Sequence, residues 1–500
     1  MNTKPYWFAE RVAGGFPPLG GPLQVDVLVI GGGITGVTAA YLMARDGVSV
    51  ALVEREKIGG SETGHTTAHL TYMTDTRLSD LISTFSRGTA RLAWEAGRDA
   101  MEFIARTVEA EGVDCRLRVV PGYLAAAAGG DLKEEIPLLQ EEAKVVKQMG
   151  FECEFIDSVP VTSRPGILFS NQMKFHPLLY LDALAKKAVE AGARIFEKSE
   201  VSEFAKEPGR VVVEGHQVEF KHVFIATHVP LQGDSSTLGA ASFQTKLALY
   251  STYAIGARIA RGSLAEMIWS DTADPFLYLR VEPGAQADYC IFGGEDHKTG
   301  QDDQTTDRYR KLEEQLGRWV SGAEIMHHWS GQVVETIDGL PYIGPTSENQ
   351  FIATGFSGNG MTFGTASALM FRDHVAGSPN RYEEVFDPGR KTASAFAEYF
   401  KQNKDFPIRM IADRMHVEER DPASLACGEG CVLEHGGQRI AAYRGEDGTL
   451  STCSAVCPHL GCIVAWNEAE STWDCPCHGS RFTAKGAVIA GPAESDLKKI

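Results

Sequence analysis

Long apolar runs are missing from this 500-residue chain, and so is any excess of positive charge. No stretch of about 18 apolar residues occurs, so no membrane-spanning helix is expected. The first twenty residues carry neither the apolar core of a secretory leader nor a twin-arginine pair, and the expected compartment is the cytoplasm. Forty-eight lysines and arginines stand against 66 aspartates and glutamates, a net charge of −18. That balance argues against nucleic acid or an anionic membrane as the main partner. Cysteine is scarce over most of the length: only Cys115, Cys153 and Cys290 precede residue 427. Those three read as small buried apolar side chains.

A hydrophobic content of 43% and a charged content of 23% describe an ordinary globular chain. Its length exceeds what one core supports, so two or three domains are expected. The other seven cysteines all fall between residues 427 and 477. A cytosolic compartment keeps thiols reduced, so such crowding points to a metal centre rather than to general cross-linking. It also marks a separate domain beginning after residue 400. Cys427, Cys431 and Cys453 are expected to be small core residues with no role.

Near the other end, residues 25–56 read VDVLVIGGGITGVTAAYLMARDGVSVALVERE. An apolar strand leads into Gly31, Gly33 and Gly36, a G-x-G-x-x-G turn. A helix-spaced segment follows, and a second apolar strand ends at Glu54, 23 residues beyond Gly31. Gly31 permits the tight turn, Gly33 lets backbone approach a pyrophosphate, and Gly36 lets helix pack close on strand. The pyrophosphate would sit against free N–H groups at the helix start. Glu54 would accept from ribose hydroxyls and repel the extra phosphate of NADP.

The motif alone does not separate FAD from NAD. Further on come LDALAKKAVEAGA, short strands near 194–201 and 210–213, HVFIATH, and DGLPYIGPTSENQFIATGFSGNGMTFG at 338–364. This order resembles the D-amino-acid oxidase and glycine oxidase superfamily of FAD enzymes, over about residues 25–375. The resemblance implies FAD. It places Gly355, Gly358, Asn359, Gly360 and Met361 at the flavin ring, with N–H groups near its O2 side. The rest of the implied cofactor set is Gly31, Gly33, Ile34, Thr35, Gly36, Glu54, Arg55, Thr63, Gly64, His65, Thr66, Thr67, Val201, Ala226 and Thr227. In some relatives a histidine of the 61–70 loop bonds covalently to flavin, and His65 falls near that place.

Between 236 and 335 the pattern shifts to alternation, as in an antiparallel sheet. DPFLYLRV at 274–281 puts Phe276, Tyr278 and Arg280 on one face, which in this superfamily would look into a substrate cavity. GGEDHKTGQ at 293–301 reads as a loop bringing His297 near that cavity. Tyr278, Arg280, His297 and Gln332 are the provisional substrate-pocket residues. Glycine-oxidase-like enzymes hold the substrate carboxylate with an arginine five residues before the aspartate of D-G-x-P-x-I-G. Here that position is Val333, so the expected substrate is an amine or amino-acid-like small molecule, with Arg280 a possible substitute anchor.

CPHLGC at 457–462 and DCPCHGSRF at 474–482 crowd four cysteines and two histidines together. A zinc knot and a pair of disulfides are the ordinary readings, and neither places the histidines well. Cys457 and His459 with Cys475 and His478 give C-x-H, 15 intervening residues, then C-x-x-H. Two thiolates on one iron and two imidazoles on the other make the ligand set of a Rieske [2Fe–2S] centre, with potentials of roughly −150 to +300 mV. The stretch from about 405 to 500 resembles the Rieske fold. The resemblance implies a disulfide between Cys462 and Cys477, clamping the ligand loops. Ser480 matches a serine that donates to a bridging sulfide, whereas Phe482 replaces a tyrosine. Loss of that hydroxyl implies a potential below the top of the range. A Rieske oxygenase would need two more histidines and a carboxylate on a further domain, and the roughly twenty residues after the second loop contain no histidine.

The expected fold is therefore an α/β Rossmann-like FAD-binding domain (25–95, 155–235 and 336–375), with an α+β antiparallel-sheet substrate-binding domain (96–154 and 236–335). A linker or helix (376–404) leads to a small all-β Rieske domain (405–500). The whole resembles a group of bacterial FAD-dependent oxidoreductases carrying a Rieske domain. Flavin accepts two electrons as hydride, and the cluster carries one at a time. The expected function is a dehydrogenase of a C–N bond that passes electrons to a soluble acceptor. A reductase with reversed flow and a non-catalytic electron-transfer protein are the alternatives.

Overall fold

The computed structural model describes residues 4–11, 14–204, 209–230, 246–302, 304–391 and 420–500. Residues 392–404 of the expected linker and the expected first residues of the third domain, 405–419, lie outside these. Among the described residues no helix is long and apolar enough to cross a membrane.

A six-stranded sheet carries the nucleotide motif. Its order is Tyr342–Ser347, Gln350–Thr354, His222–Ile225, Val27–Ile30, Val50–Val53, Arg194–Phe196. Every pairing is parallel except the outer hairpin of the first two strands. Val27–Ile30 and Val50–Val53 are buried throughout, the mark of a parallel sheet covered on both faces. Helix Ile34–Arg45 packs on this sheet with eleven of its twelve residues buried. The packing is close because Gly36 has no side chain: a Cβ there would lie 1.9 Å from the Gly31 carbonyl oxygen.

The larger sheet runs Glu324–Thr336, Leu247–Ile259, Asp288–Lys298, Tyr278–Glu282, Ile268–Asp271, Arg118–Ala125, Gly166–Lys174, His69–Leu70. It is antiparallel apart from the pairing of Ile268–Asp271 with Arg118–Ala125. Strand Gly166–Lys174 lies here, although residues from 155 onward are expected on the nucleotide side. It pairs from Gly166 to Lys174 with Arg118–Ala125, and that long-range register decides its sheet.

Two expectations about this sheet need correction. His297 is not on a loop: strand Asp288–Lys298 runs through it, and both ring nitrogens are engaged. Nδ1 faces the Lys298 carbonyl at 2.9 Å and must donate, so Nε2, 2.9 Å away, accepts from the Tyr253 hydroxyl. Arg280 does not face a substrate either. It is fully buried, with its guanidinium 5.0 Å from the Trp7 ring centroid. Its five N–H donors go to Glu282 twice and to the carbonyls of Thr67, Ala68 and Phe175. None remains for a ligand carboxylate. Burial forces this satisfaction, because an unpaired guanidinium in the core would be prohibitive.

The C-terminal region is all β: a three-stranded sheet (Gly430–His435, Gln438–Arg444, Leu450–Ser454) and a four-stranded one (Ala465–Asn467, Thr472–Asp474, Arg481–Thr483, Val488–Ala490). Cys453 is buried as expected. Cys427 is exposed and Cys431 half-buried, so neither is a core residue.

Arg280 ties the 61–70 loop to the large sheet, and Lys174 shares its Glu282 partner at 2.9 Å. Replacing Arg280 with Leu leaves a buried carboxylate under-compensated, so Arg280→Leu is expected to lower stability by roughly 3–5 kcal/mol. Thermal unfolding followed by circular dichroism checks this.

Candidate functional site

One cavity of ≈ 1570 Å³ extends from the glycine turn, past the 61–70 loop, to Tyr278 and Asp296. Its first part is backbone. Gly31 holds φ +111°, and a Cβ on it would lie 2.5 Å from the Ala226 oxygen. Gly33 caps helix Ile34–Arg45 without a side chain, which leaves amides at the helix start open to an anion. Thr63 Oγ1 accepts from Ile34 N at 3.1 Å. Glu54 accepts from Gly32 N and Glu56 N, both at 2.7 Å, while burial pushes its carboxyl pKa up.

Of the expected cofactor residues, Gly33, Ile34, Thr35, Arg55, His65, Thr66, Thr67, Val201, Thr227, Gly360 and Met361 also line the cavity. Arg55 donates to Ile489 O at 2.6 Å, so the all-β region closes part of the wall. Gly355, Gly358 and Asn359 line the opposite end, where Gly358 N donates to Asp75 Oδ2 at 2.6 Å and Asn359 Nδ2 to Met73 O at 2.7 Å. Gly36 and Gly64 are not in the wall. They permit close packing instead, Gly64 against the Gly59 oxygen. His65 Nδ1 lies 2.9 Å from Ser61 O. An elongated cavity with glycine backbone and a free helix start at one end suits a dinucleotide, and FAD fits these residues.

The far end holds groups that sequence reasoning missed. The Tyr278 hydroxyl and Thr252 Oγ1 are 2.6 Å apart, and Asp296 lines the same end of the cavity. The His69 ring stands edge-on to Tyr278, 6.2 Å between centroids, with Nε2 buried and unpartnered among the described residues. Burial pushes Asp296 up to about 7, with Thr252 opposing. Asp75 is pushed up to about 6 by burial, against its Gly358 hydrogen bond. His69 is pushed down to about 3, by burial and then by the Arg280 charge, so its imidazole is neutral. These residues come from four separate chain segments, and no local pattern could have grouped them. Of the provisional pocket residues, Tyr278 lines the cavity and Arg280 and His297 do not. Gln332 lines it too, but its amide faces the all-β region.

There, Cys462 and Cys477 form a disulfide joining the two ligand loops. Cys457 and Cys475 are each other's main electrostatic neighbours, and the His459 and His478 rings lie 5.1 Å apart. A single tetrahedral zinc would draw all four donors to within about 4 Å of one another. Among the described residues these four do not converge so. Thiols paired with thiols and imidazoles with imidazoles suit two irons.

The loops also point amides at sulfur: those of His459 and Leu460 at Cys457, those of Cys477 and His478 at Cys475. Cys475 is the main cause that pulls Cys457 down to about 7, while the Cys475 thiol is itself pushed well up. Burial keeps both imidazoles neutral, His478 pushed down to about 4, as metal ligation requires. Ser480 is fully buried, accepts from Ala493 N at 2.9 Å and turns its hydroxyl to Cys457. Phe482, also buried, brings no hydroxyl. A [2Fe–2S] cluster fits this cage of donors.

Fold and site together define a flavin oxidoreductase carrying a Rieske domain. The chain belongs to the FAD dependent oxidoreductase family, matched over residues 26–374, and a Rieske [2Fe-2S] domain is matched over 417–500. Its cofactors are FAD and a [2Fe–2S] cluster. It is similar to a protein of Bacillus subtilis (strain 168) named as a Rieske 2Fe-2S iron-sulfur protein, YhfW. The two are 31% identical over 503 residues, 99% of this chain and 97% of that one. The chloroplastic cytochrome b6-f complex iron-sulfur subunit of Arabidopsis thaliana is 55% identical over 54 residues, 10% of this chain and 24% of that one. In three dimensions the chain resembles glycine oxidase from Geobacillus kaustophilus, with a TM-score of 0.62 at 18% identity, covering 74% of this chain and 99% of that one.

Because any Cβ on Gly36 collides with the Gly31 oxygen, Gly36→Ala is expected to purify with most of its flavin missing. The ratio of flavin absorbance at 450 nm, roughly the usual flavin band, to protein absorbance checks this, with iron content as the unaffected control.

Proposed function

We propose that this protein is a dehydrogenase of small amines, delivering electrons singly through its Rieske cluster to an external one-electron acceptor. The observation that carries this reading is one residue. Gln332 lines the flavin cavity and donates to Gly479 O at 2.8 Å, next in the chain to His478. An oxidase that discharges directly to O₂ has no use for a cluster seated on its cavity wall.

Amines are favoured over amino acids by the charges at the far end. Val333 stands where a carboxylate-binding arginine is expected, Arg280 is fully committed, and Arg77 pairs with Asp80 at 3.2 Å. Asp75, Asp271 and Asp296 line the same region. Such a wall accepts a cation and repels a carboxylate. Bound FAD supplies the acceptor for hydride from the carbon beside nitrogen. Asp296 supplies the base: it takes the ammonium proton, leaving the neutral amine whose lone pair assists loss of hydride. Tyr278, bonded to Thr252, lines the same end of the cavity. Beyond the cluster, the first ligand loop presents Val456 and Leu460 at 41% and 40% exposure, an outward face for a soluble acceptor.

Anaerobic titration tests the reading. Added alkylamine is expected to bleach the flavin and then raise a Rieske-type EPR signal. Bleaching only by a reduced ferredoxin or nicotinamide system would reverse the flow, and no response to any candidate substrate would leave an electron-transfer protein. The carboxylate form of Asp296 grows as pH rises through its pKa of about 7. The rate of bleaching is therefore expected to rise through that pH, and Asp296→Asn to lose the rise along with about 10²–10⁴-fold in rate. Stopped-flow absorbance over a pH series reads both.

A further inference from the structure

The second ligand loop is built into the oxidoreductase body rather than resting on it. Gly300 holds φ +75°, and a Cβ there would lie 2.7 Å from Pro476 N and 2.8 Å from Asp474 O, both backbone of that loop. On the other side, a Cβ at Gly479 would lie 2.5 Å from Leu249 Cβ. Two amides span the seam: Gln301 Nε2 donates to Pro476 O at 2.8 Å and Gln332 Nε2 to Gly479 O at 2.8 Å. These carbonyls bracket Cys477 and His478. Gln332 is itself anchored, its N–H on Glu62 Oε2 at 2.8 Å and its Nε2 shared with Thr299 Oγ1 at 3.2 Å. It is 2% exposed, so the bridge is shielded from water. A second track runs through the cavity-lining Ala493, whose N–H donates to the buried Ser480.

Resting on the reading that flavin and cluster exchange electrons, we propose that the Rieske domain is a fixed rather than a swinging acceptor. Gln332 is the positioning residue that holds the Cys475–Ser480 loop on the wall of the flavin cavity. Electrons enter at the His478 side. Each transfer moves one electron from reduced flavin to a ferric iron of the cluster, leaving flavin one electron more oxidised and that iron ferrous.

The test uses the holo full-length chain, made anaerobic, with flavin photoreduced by light and EDTA as the sacrificial electron donor. Appearance of the reduced-cluster EPR signal after a flash gives the transfer rate. Photoreduction needs no substrate, so amines failing to bleach flavin would count against the dehydrogenase alone and leave this measurement standing. In the wild type the rate is expected to be unchanged by added glycerol, since nothing must diffuse. Gly300→Val drives a side chain into the loop backbone outside the cavity. It is expected to slow transfer by about tenfold or more, the equivalent of one or two buried contacts. Gln332→Leu is expected to slow it in the same sense by about fivefold, the loss of the amide's buried hydrogen bonds to Gly479 O and Thr299 Oγ1. In both variants the cluster's EPR g-values and midpoint potential are expected to stay as in the wild type. A wild-type rate that falls in proportion to viscosity, or both variants transferring at the wild-type rate, would overturn the proposal. Should neither variant fold, the wild-type viscosity series decides alone.

Discussion

Backbone lies against backbone where Gly300 meets Asp474–Pro476, and the arrangement of the two redox sites depends on that contact. A side chain at this place would hold the sheets apart by the width of a methyl group. The glycine removes it, and its left-handed φ lets the chain turn away from the seam within one residue. The side chains that bridge it are amides, Gln301 and Gln332, and the buried Arg481 beside it is paired with Asp474 at 3.2 Å. An amide donates to a carbonyl without bringing a net charge into the low-dielectric space beside a cluster. A lysine in the same place would cost several kcal/mol in desolvation, by the order of magnitude known for buried ions, and would shift the potential of the centre beside it.

The same economy of charge governs the cavity. Around the helix start the wall includes backbone and hydroxyl groups, and each Glu54 oxygen accepts one amide. At the opposite end burial, not pairing, is the first cause of the raised pKa values of Asp75 and Asp296. Carboxyls poised near neutrality exchange protons readily, whereas salt-bridged ones do not. Arg280 lies behind that wall, its guanidinium paired with Glu282 and bonded to three carbonyls. It contributes rigidity to the 61–70 loop, and it helps keep His69 neutral.

How much of this was legible in the sequence follows from the range of each interaction. The glycine turn, its two strands and Glu54 lie within thirty residues, and their spacing carries their geometry. The same holds for the paired ligand loops and for the disulfide that family resemblance implied. Alternation placed Arg280 on a face with Tyr278, which is right for an ideal strand. It could not show that Thr67, Ala68 and Phe175 would surround it. His297 follows two glycines and reads as loop, but pairing of Ser251 with His297 and Tyr253 with Gly294, across a register shift, draws the segment into the sheet. His69, Thr252 and Asp296 are brought together only by tertiary folding, as is Gly300 with Pro476. Local pattern reports periodicity and turn chemistry; it is silent on partners a hundred residues away.

The two ligand loops, alike in sequence, have become unlike in surroundings. Pro476, Gly479 and Ser480 are buried in the seam, while Val456, Pro458 and Leu460 of the first loop are exposed. A cluster with one ligand loop against the flavin cavity and the other toward solvent is asymmetric even though its four protein ligands are two matched pairs. The disulfide crosses between these faces and holds the pairs in register. Docking by the second loop leaves the first loop facing solvent, and on the proposed electron path no domain motion would be needed to separate entry from exit.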